Sequence, residues 1–278
     1  MRILDTHLHM IYLDKFSYPW LDGTPLNHAW PLDSYLATAR ELGIDGAVHM
    51  EVDVAEKDIE AETSFVVGLD PFIRGAIISG RPEKPGFAAA LERAAAVPGV
   101  KGMRRILHTS PDGLSGSDLF AENIRRLEAH GMTFDLCVLA RQLPVGQHLV
   151  DRCPGVSFIL DHCGVPDIAG GDFETWSKAI SELALRPNVA AKISGIIAYA
   201  GENWTIEDLR PYFEHVVAAF GWDRVVWGSD FPVCTLTADL RAWVGVTHRL
   251  LSGTSETEQT KLLSANAQRI YRIESGMI

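Results

Sequence analysis

Apolar residues along the chain fall into two alternating rhythms. Short, β-rich runs recur at about Arg2–His9, Asp45–Asp53, Phe72–Ser79, Val100–Leu107, Met132–Leu139, Val156–His162, Asn188–Ser194 and Arg224–Asp230, with helical periodicity between them. Leu209, Tyr212, Phe213, Val216, Val217 and Phe220 keep the i, i+3, i+4, i+7 spacing behind Thr205, a residue suited to cap a helix N-terminus. Leu32, Tyr35, Leu36, Ala39 and Leu42 do the same ahead of Gly43, placed to end that helix in a left-handed cap. Ser255 and Glu258 make a capping box for the last helix. Strand starts recur at roughly 24–43 residues, the span of one βα unit. Eight such units in 278 residues give the length and rhythm of a (β/α)8 TIM barrel, an α/β fold in one domain over residues 1–278. A doubly wound sheet is disfavoured, because no glycine-rich phosphate loop follows the first strand.

Barrel sites form where strands end, and the strand ends here are polar. The first run closes on "THLH", with His7 and His9 two residues apart; in a regular strand Ile3, Asp5, His7 and His9 would share one face. The second ends "HMEVD", offering His49, Glu51 and Asp53 on one face. Strand four carries Arg104 and Arg105 with His108 just beyond, and strand five Asp135. Strand six ends in Asp161 and His162, strand seven in Lys192 and Ser194, and strand eight in Asp230. One such residue is most simply a cap or a satisfied polar group; convergence at one end of nearly every strand points to a shared, wet pocket. Trp20 and Trp30 sit in the long first loop, which is expected either to wall that pocket or to pack on its neighbour.

Charge changes the picture only at the level of partners. The chain has 25 Lys and Arg against 36 Asp and Glu, a formal charge of −11, which argues against nucleic acid or an anionic membrane as a general partner. Four scattered cysteines form no CxxC pair and read as small buried hydrophobes. No signal peptide or membrane-length apolar run is evident, so a cytoplasmic protein is expected, as a monomer or homo-oligomer.

Together, HxH on strand one, "LDHCG" on strand six, "KISG" on strand seven and "WGSDFPV" on strand eight resemble the amidohydrolase superfamily. "YPWLD", "KGMRRIL", "FDLCV", "LVDRCP", "EDLRPYF" and "NAQRIY" extend the likeness over essentially the whole chain, toward the sugar-lactonase branch that includes L-fuconolactonase, L-rhamnonolactonase and 2-pyrone-4,6-dicarboxylate lactonase. That resemblance implies a small-molecule lactone as substrate, with Asp230 and His162 catalytic. It implies Arg104, Arg105 and Lys192 as substrate-binding groups, joined in our reading by Glu51, His108 and Trp20. His7, His9, His162 and Asp230 are the metal ligands if one zinc is bound; catalysis without a metal is the equal alternative. Two metals are not expected, because Lys101 stands at the start of strand four rather than at its end and strand five offers Asp135 in place of a histidine.

For a cyclic ester, Asp230 is the candidate general base, with the histidines or a zinc they hold polarising the carbonyl. Adjacent strand residues face opposite ways, so only one of Arg104 and Arg105 is expected in the pocket. The alternative on the same scaffold is a zinc-dependent decarboxylase of a small unsaturated or aromatic acid. A catalytically silent barrel is disfavoured, because the His/His/His/Asp set is intact.

Overall fold

Eight parallel strands follow one another in sequence order around a single sheet. They are β1 (Ile3–Leu8), β2 (Ile44–Met50), β3 (Ile73–Ser79), β4 (Val100–Ile106), β5 (Thr133–Cys137), β6 (Phe158–Leu160), β7 (Val189–Ile193) and β8 (Val225–Trp227). The computed structural model describes residues 2–274, so both ends of the expected 1–278 domain lie outside the described residues. Helices on the outside connect successive strands: α1 (Leu32–Ala39), α2 (Ile59–Val67), α3 (Phe87–Ala95), α4 (Asp118–Arg125), α5 (Leu127–His130), α6 (Leu143–Arg152), α7 (Phe173–Ala184), α8 (Ile206–Phe220) and α9 (Leu240–Leu250). The ring closes between β8 and β1, where the Asp230 N–H donates to His7 O at 2.9 Å and the His9 N–H to Phe231 O at 2.8 Å. This is the single-domain TIM barrel the sequence predicts. The caps hold as well: Gly43 is left-handed at φ 78°, and Thr205 and Ser255 each form a capping box.

Apolar residues divide into two layers, as a barrel requires. Leu4, Val48, Met50, Ile77, Ile159 and Val226 fill the inside with Ala267 and Tyr271 from the C-terminal segment, while a larger cluster packs the outer face of the sheet against the helices. A third cluster, with Ile11, Tyr18, Leu21, Leu26, Val52 and Val54, anchors the first loop over the mouth.

Every strand but β3 ends one to three residues earlier than its apolar run suggests. Asp53, His162 and Asp230 have positive φ of 46°, 53° and 56°, a left-handed backbone that takes the chain off the ladder. Non-glycine residues hold this conformation only where surrounding contacts enforce it, and such strain collects at functional sites.

Regular alternation fails on β1. Asp5 pairs with Ala47 and Leu8 with His49, so three steps on β1 match two on β2. That one-residue bulge flips the faces. Ile3 packs in the outer core and Asp5 bonds the Tyr35 hydroxyl on α1, whereas His7 and His9 point inward. The expectation of one shared face therefore holds for the two histidines alone. His49 is likewise not at the mouth: it is buried 3.7 Å from Glu62 of α2.

Candidate active site

The C-terminal mouth encloses a cavity of about 470 Å³. Its lining includes His9, Arg104, His108, His162 and Asp230 from four strand ends, with Trp20, Leu26, Asp53, Tyr199 and Leu236 from the loops. A wider crevice of about 1160 Å³ lies at the opposite end, lined by Arg2, Asp45, Arg74 and Lys101, and holds none of the clustered histidines. Trp20 walls the mouth with Nε1 donating to Val52 O at 2.7 Å. Trp30 instead packs edge-on against Phe231, at 5.2 Å between ring centroids.

Asp230 sits on the cavity floor, almost fully buried. Its Oδ1 lies 3.6 Å from both His7 Nε2 and His9 Nε2, and Oδ2 lies 3.8 Å from His162 Nδ1. Oδ2 accepts no hydrogen bond from the described residues. Burial pushes this carboxyl up to about 6, against the opposing pull of His162 and Arg104. The same burial keeps the imidazoles neutral: His9 is lowered to about 3, with Arg104 adding to the effect, and His7 and His162 are also lowered.

Local sequence explains how these groups are held. Asp5 Oδ1 accepts the N–H groups of His7 and Ser229 at 2.9 and 2.8 Å, tying the histidine strand to the Asp230 turn. In "WGSD", a Cβ on Gly228 would lie 2.6 Å from His7 Cβ, so only glycine fits. In "KISG", Ser194 Oγ is 2.9 Å from His162 Nδ1, and left-handed Gly195 leaves room for that ring. Sequence alone does not single out Asp5 or Tyr199: regular alternation makes Asp5 one more residue on the histidine face, and Tyr199 lies in a loop without periodicity.

The basic residues divide sharply. Arg104 is buried and lines the cavity, whereas Arg105 points to the outer face and bonds Glu83 at 3.0 Å. The expectation that only one of them enters holds, and Arg105 is removed from the substrate-binding set because strand alternation turns it outward. Lys192 and Glu51 stand behind the residues that line the cavity. Lys192 is fully buried, with Nζ 2.6 Å from Asp135 and 2.9 Å from Asp161, and these carboxylates outweigh burial to keep it charged. Glu51 accepts from Arg104 Nε at 2.6 Å and from the Asp53 N–H at 2.8 Å, so it positions both residues. His108 does line the cavity, its Nδ1 2.9 Å from the buried Cys137 thiol.

His7, His9 and Asp230 also offer a donor set for one divalent metal. His7 Nε2 and His9 Nε2 are 3.2 Å apart, and each is 3.6 Å from Asp230 Oδ1. Metal–ligand bonds of about 2.0–2.2 Å put tetrahedral ligand atoms roughly 3.3–3.6 Å apart, so the residues fit such an ion. His162, 2.9 Å from Ser194 Oγ and 3.8 Å from Asp230 Oδ2, belongs to a second, overlapping donor group with His7 and Asp161. Lys101 bonds Arg272 O, far from the mouth.

The amidohydrolase family model matches residues 4–273. An L-fucono-1,5-lactonase of Burkholderia ambifaria is 30% identical over 221 residues, covering 78% of this chain and 74% of that protein. An L-fucono-1,5-lactonase of Burkholderia multivorans is 28% identical over 301 residues, covering 97% and 96%. The crystal structure of a Burkholderia multivorans amidohydrolase with bound zinc superimposes with a TM-score of 0.88 at 25% identity, covering 99% of this chain and all of that one.

Proposed function

This chain belongs to the amidohydrolase family, and from that premise we propose that it is a lactonase, adding water to a cyclic ester with Asp230 as general base. The observation that carries this reading is the state of Asp230: a buried carboxyl raised to about 6, one oxygen without a partner among the described residues, on the floor of an enclosed pocket. A base tuned near the working pH combines an ionised population with real proton affinity.

A water beside Asp230 gives its proton to Oδ2 as its oxygen attacks the lactone carbonyl carbon. The oxyanion that forms faces the Arg104 guanidinium, whose position is fixed by Glu51 before the reaction starts, so little reorganisation is needed. With the Ser194 hydroxyl donating to Nδ1, His162 presents Nε2–H to the cavity as a second donor. Collapse of the tetrahedral species breaks the ring C–O bond, and Asp230 returns its proton to the leaving alkoxide. The new carboxyl group then ionises and releases one proton to solvent. A divalent metal held by His7, His9 and Asp230 would supply Lewis-acid polarisation of the carbonyl.

Decarboxylation is the weaker reading, because the two Burkholderia relatives that align over most of this chain are lactonases. The test is a pH-indicator assay over five- and six-membered aldonolactones, with chelated and zinc-supplemented protein run in parallel. Opening of an aldonolactone is expected. Silence across the panel, with release of CO2 from an aromatic or dienoic acid, would replace hydrolysis by decarboxylation.

A further inference from the structure

Three charged side chains line the cavity, Asp53, Arg104 and Asp230. From the way they are partnered, we infer that the site takes uncharged, hydroxyl-bearing lactones and rejects lactones carrying a carboxylate or sulfonate. This inference rests on the lactonase reading and narrows its substrate.

Binding an anionic substituent calls for a guanidinium fork or ammonium with donors to spare. Arg104 is paired with Glu51 and Asp161, and the N–H groups it keeps serve the lactone carbonyl, so none is left for a second anion. Nε donates to Glu51 Oε1 at 2.6 Å and Nη2 to Glu51 O at 2.8 Å, while Nη1 lies 3.5 Å from Asp161 Oδ2. Lys192 is spent beneath the floor on Asp135 and Asp161. The next cation, Arg81, is held by Asp53 at 3.3 Å and by Ser79 Oγ at 2.7 Å. These named groups, with Asp230, are five carboxylates against three cations. An entering anion therefore meets a surplus of negative charge in a poorly solvated space, where repulsion is weakly screened.

A polyol meets acceptors instead. Asp53 is held at φ 46° by its N–H bond to Glu51, and its carboxylate lines the mouth with lone pairs left for a substrate hydroxyl. His108 and Thr109 stand nearby in the same wall. Hydrolysis converts a neutral ring into an open-chain carboxylate, so the field that admits the substrate also expels the product.

The test compares an aldonolactone with the corresponding aldarolactone, which differs by a carboxylate at its far end. The expected kcat/KM is at least about 100-fold higher for the neutral ring. Asp53→Asn, which removes one carboxylate and releases Arg81, is expected to narrow that ratio at least tenfold; an unchanged ratio would remove Asp53 from the discrimination. Equal or faster opening of the aldarolactone by the wild-type protein overturns the inference. If neither ring opens, calorimetry on the same protein decides. Binding of the aldonolactone alone overturns hydrolysis and keeps the selectivity; equal or tighter binding of the aldarolactone overturns the selectivity; no binding of either overturns both.

Discussion

Lys192 Nζ lies 3.2 Å from His7 Nδ1, and an ammonium can only donate. His7 therefore accepts at Nδ1 and carries its proton on Nε2, aimed at His9 Nε2 3.2 Å away. His9 can accept it, because its own Nδ1–H is committed to Met50 O at 3.0 Å. To ligate a metal, His7 must free Nε2 and move the proton to Nδ1, where Asp161 Oδ1 at 3.5 Å is the available acceptor. Asp161 is thus the group that supports the metal-binding tautomer.

Asp161→Asn is accordingly expected to weaken zinc binding by about 10–100-fold, the usual cost of losing a carboxylate behind a ligating histidine. Competition with a chromophoric chelator measures it. Unchanged affinity would mean that Asp161 does not set the tautomer.

The buried ion pairs and the exposed ones are expected to differ in kind. Lys192→Met leaves Asp135 and Asp161 without their cation in a fully buried setting, and breaking such a pair costs about 3–5 kcal/mol. Lys178→Ala, which removes the solvent-exposed i,i+4 partner of Glu174, should cost no more than about 0.5 kcal/mol. Urea unfolding midpoints of the two variants separate these outcomes.

Gly195→Ala tests the close approach behind "KISG". The added Cβ would sit 2.5 Å from His162 Nδ1, at a backbone φ of +68°. A loss of about 1–2 kcal/mol from the left-handed conformation is expected. The displaced His162 ring should also lower kcat by tenfold or more, since small misplacements are costly in catalysis. Retained kcat with lowered stability would make Gly195 structural only.

The pH profile follows from Asp230. The base must be ionised, so log kcat/KM should rise with unit slope up to about pH 6 and then level off. A break near pH 4, the ordinary carboxylate range, would contradict the raised value. The linked effect on stability has the opposite sense. A carboxyl raised in the folded state contributes most below its unfolded pKa, and that contribution is lost as pH rises through 6. Asp230→Asn should therefore gain stability over the wild type at pH 8, on the order of a few kcal/mol.

Much of this was readable in the sequence because ionisable residues follow immediately on apolar runs. His9, His162 and Asp230 could be placed at one mouth from that pattern and the barrel rhythm. What stayed hidden depends on register and on distant pairing. A one-residue bulge leaves no compositional trace, so Asp5 looked like a neighbour of the histidines although it ties β1 to the Asp230 turn. Arg104 looked free to bind substrate, because its partner Glu51 is 53 residues away in sequence and meets it only across the folded mouth. The pairing of Lys192 is hidden for the same reason, its carboxylates arriving from β5 and from the turn after β6. Strand alternation correctly separated Arg104 from Arg105, since β4 runs in register with β5 throughout their paired residues.

The most direct measurement is the turnover of one aldonolactone by wild-type protein and by Asp230→Asn, followed as proton release at pH 8. Wild-type turnover is expected, with kcat reduced by roughly 10²–10⁴-fold in the variant, the contribution of a positioned general base, and the lactone still bound. A variant that keeps more than about a tenth of the wild-type rate would contradict Asp230 as the base.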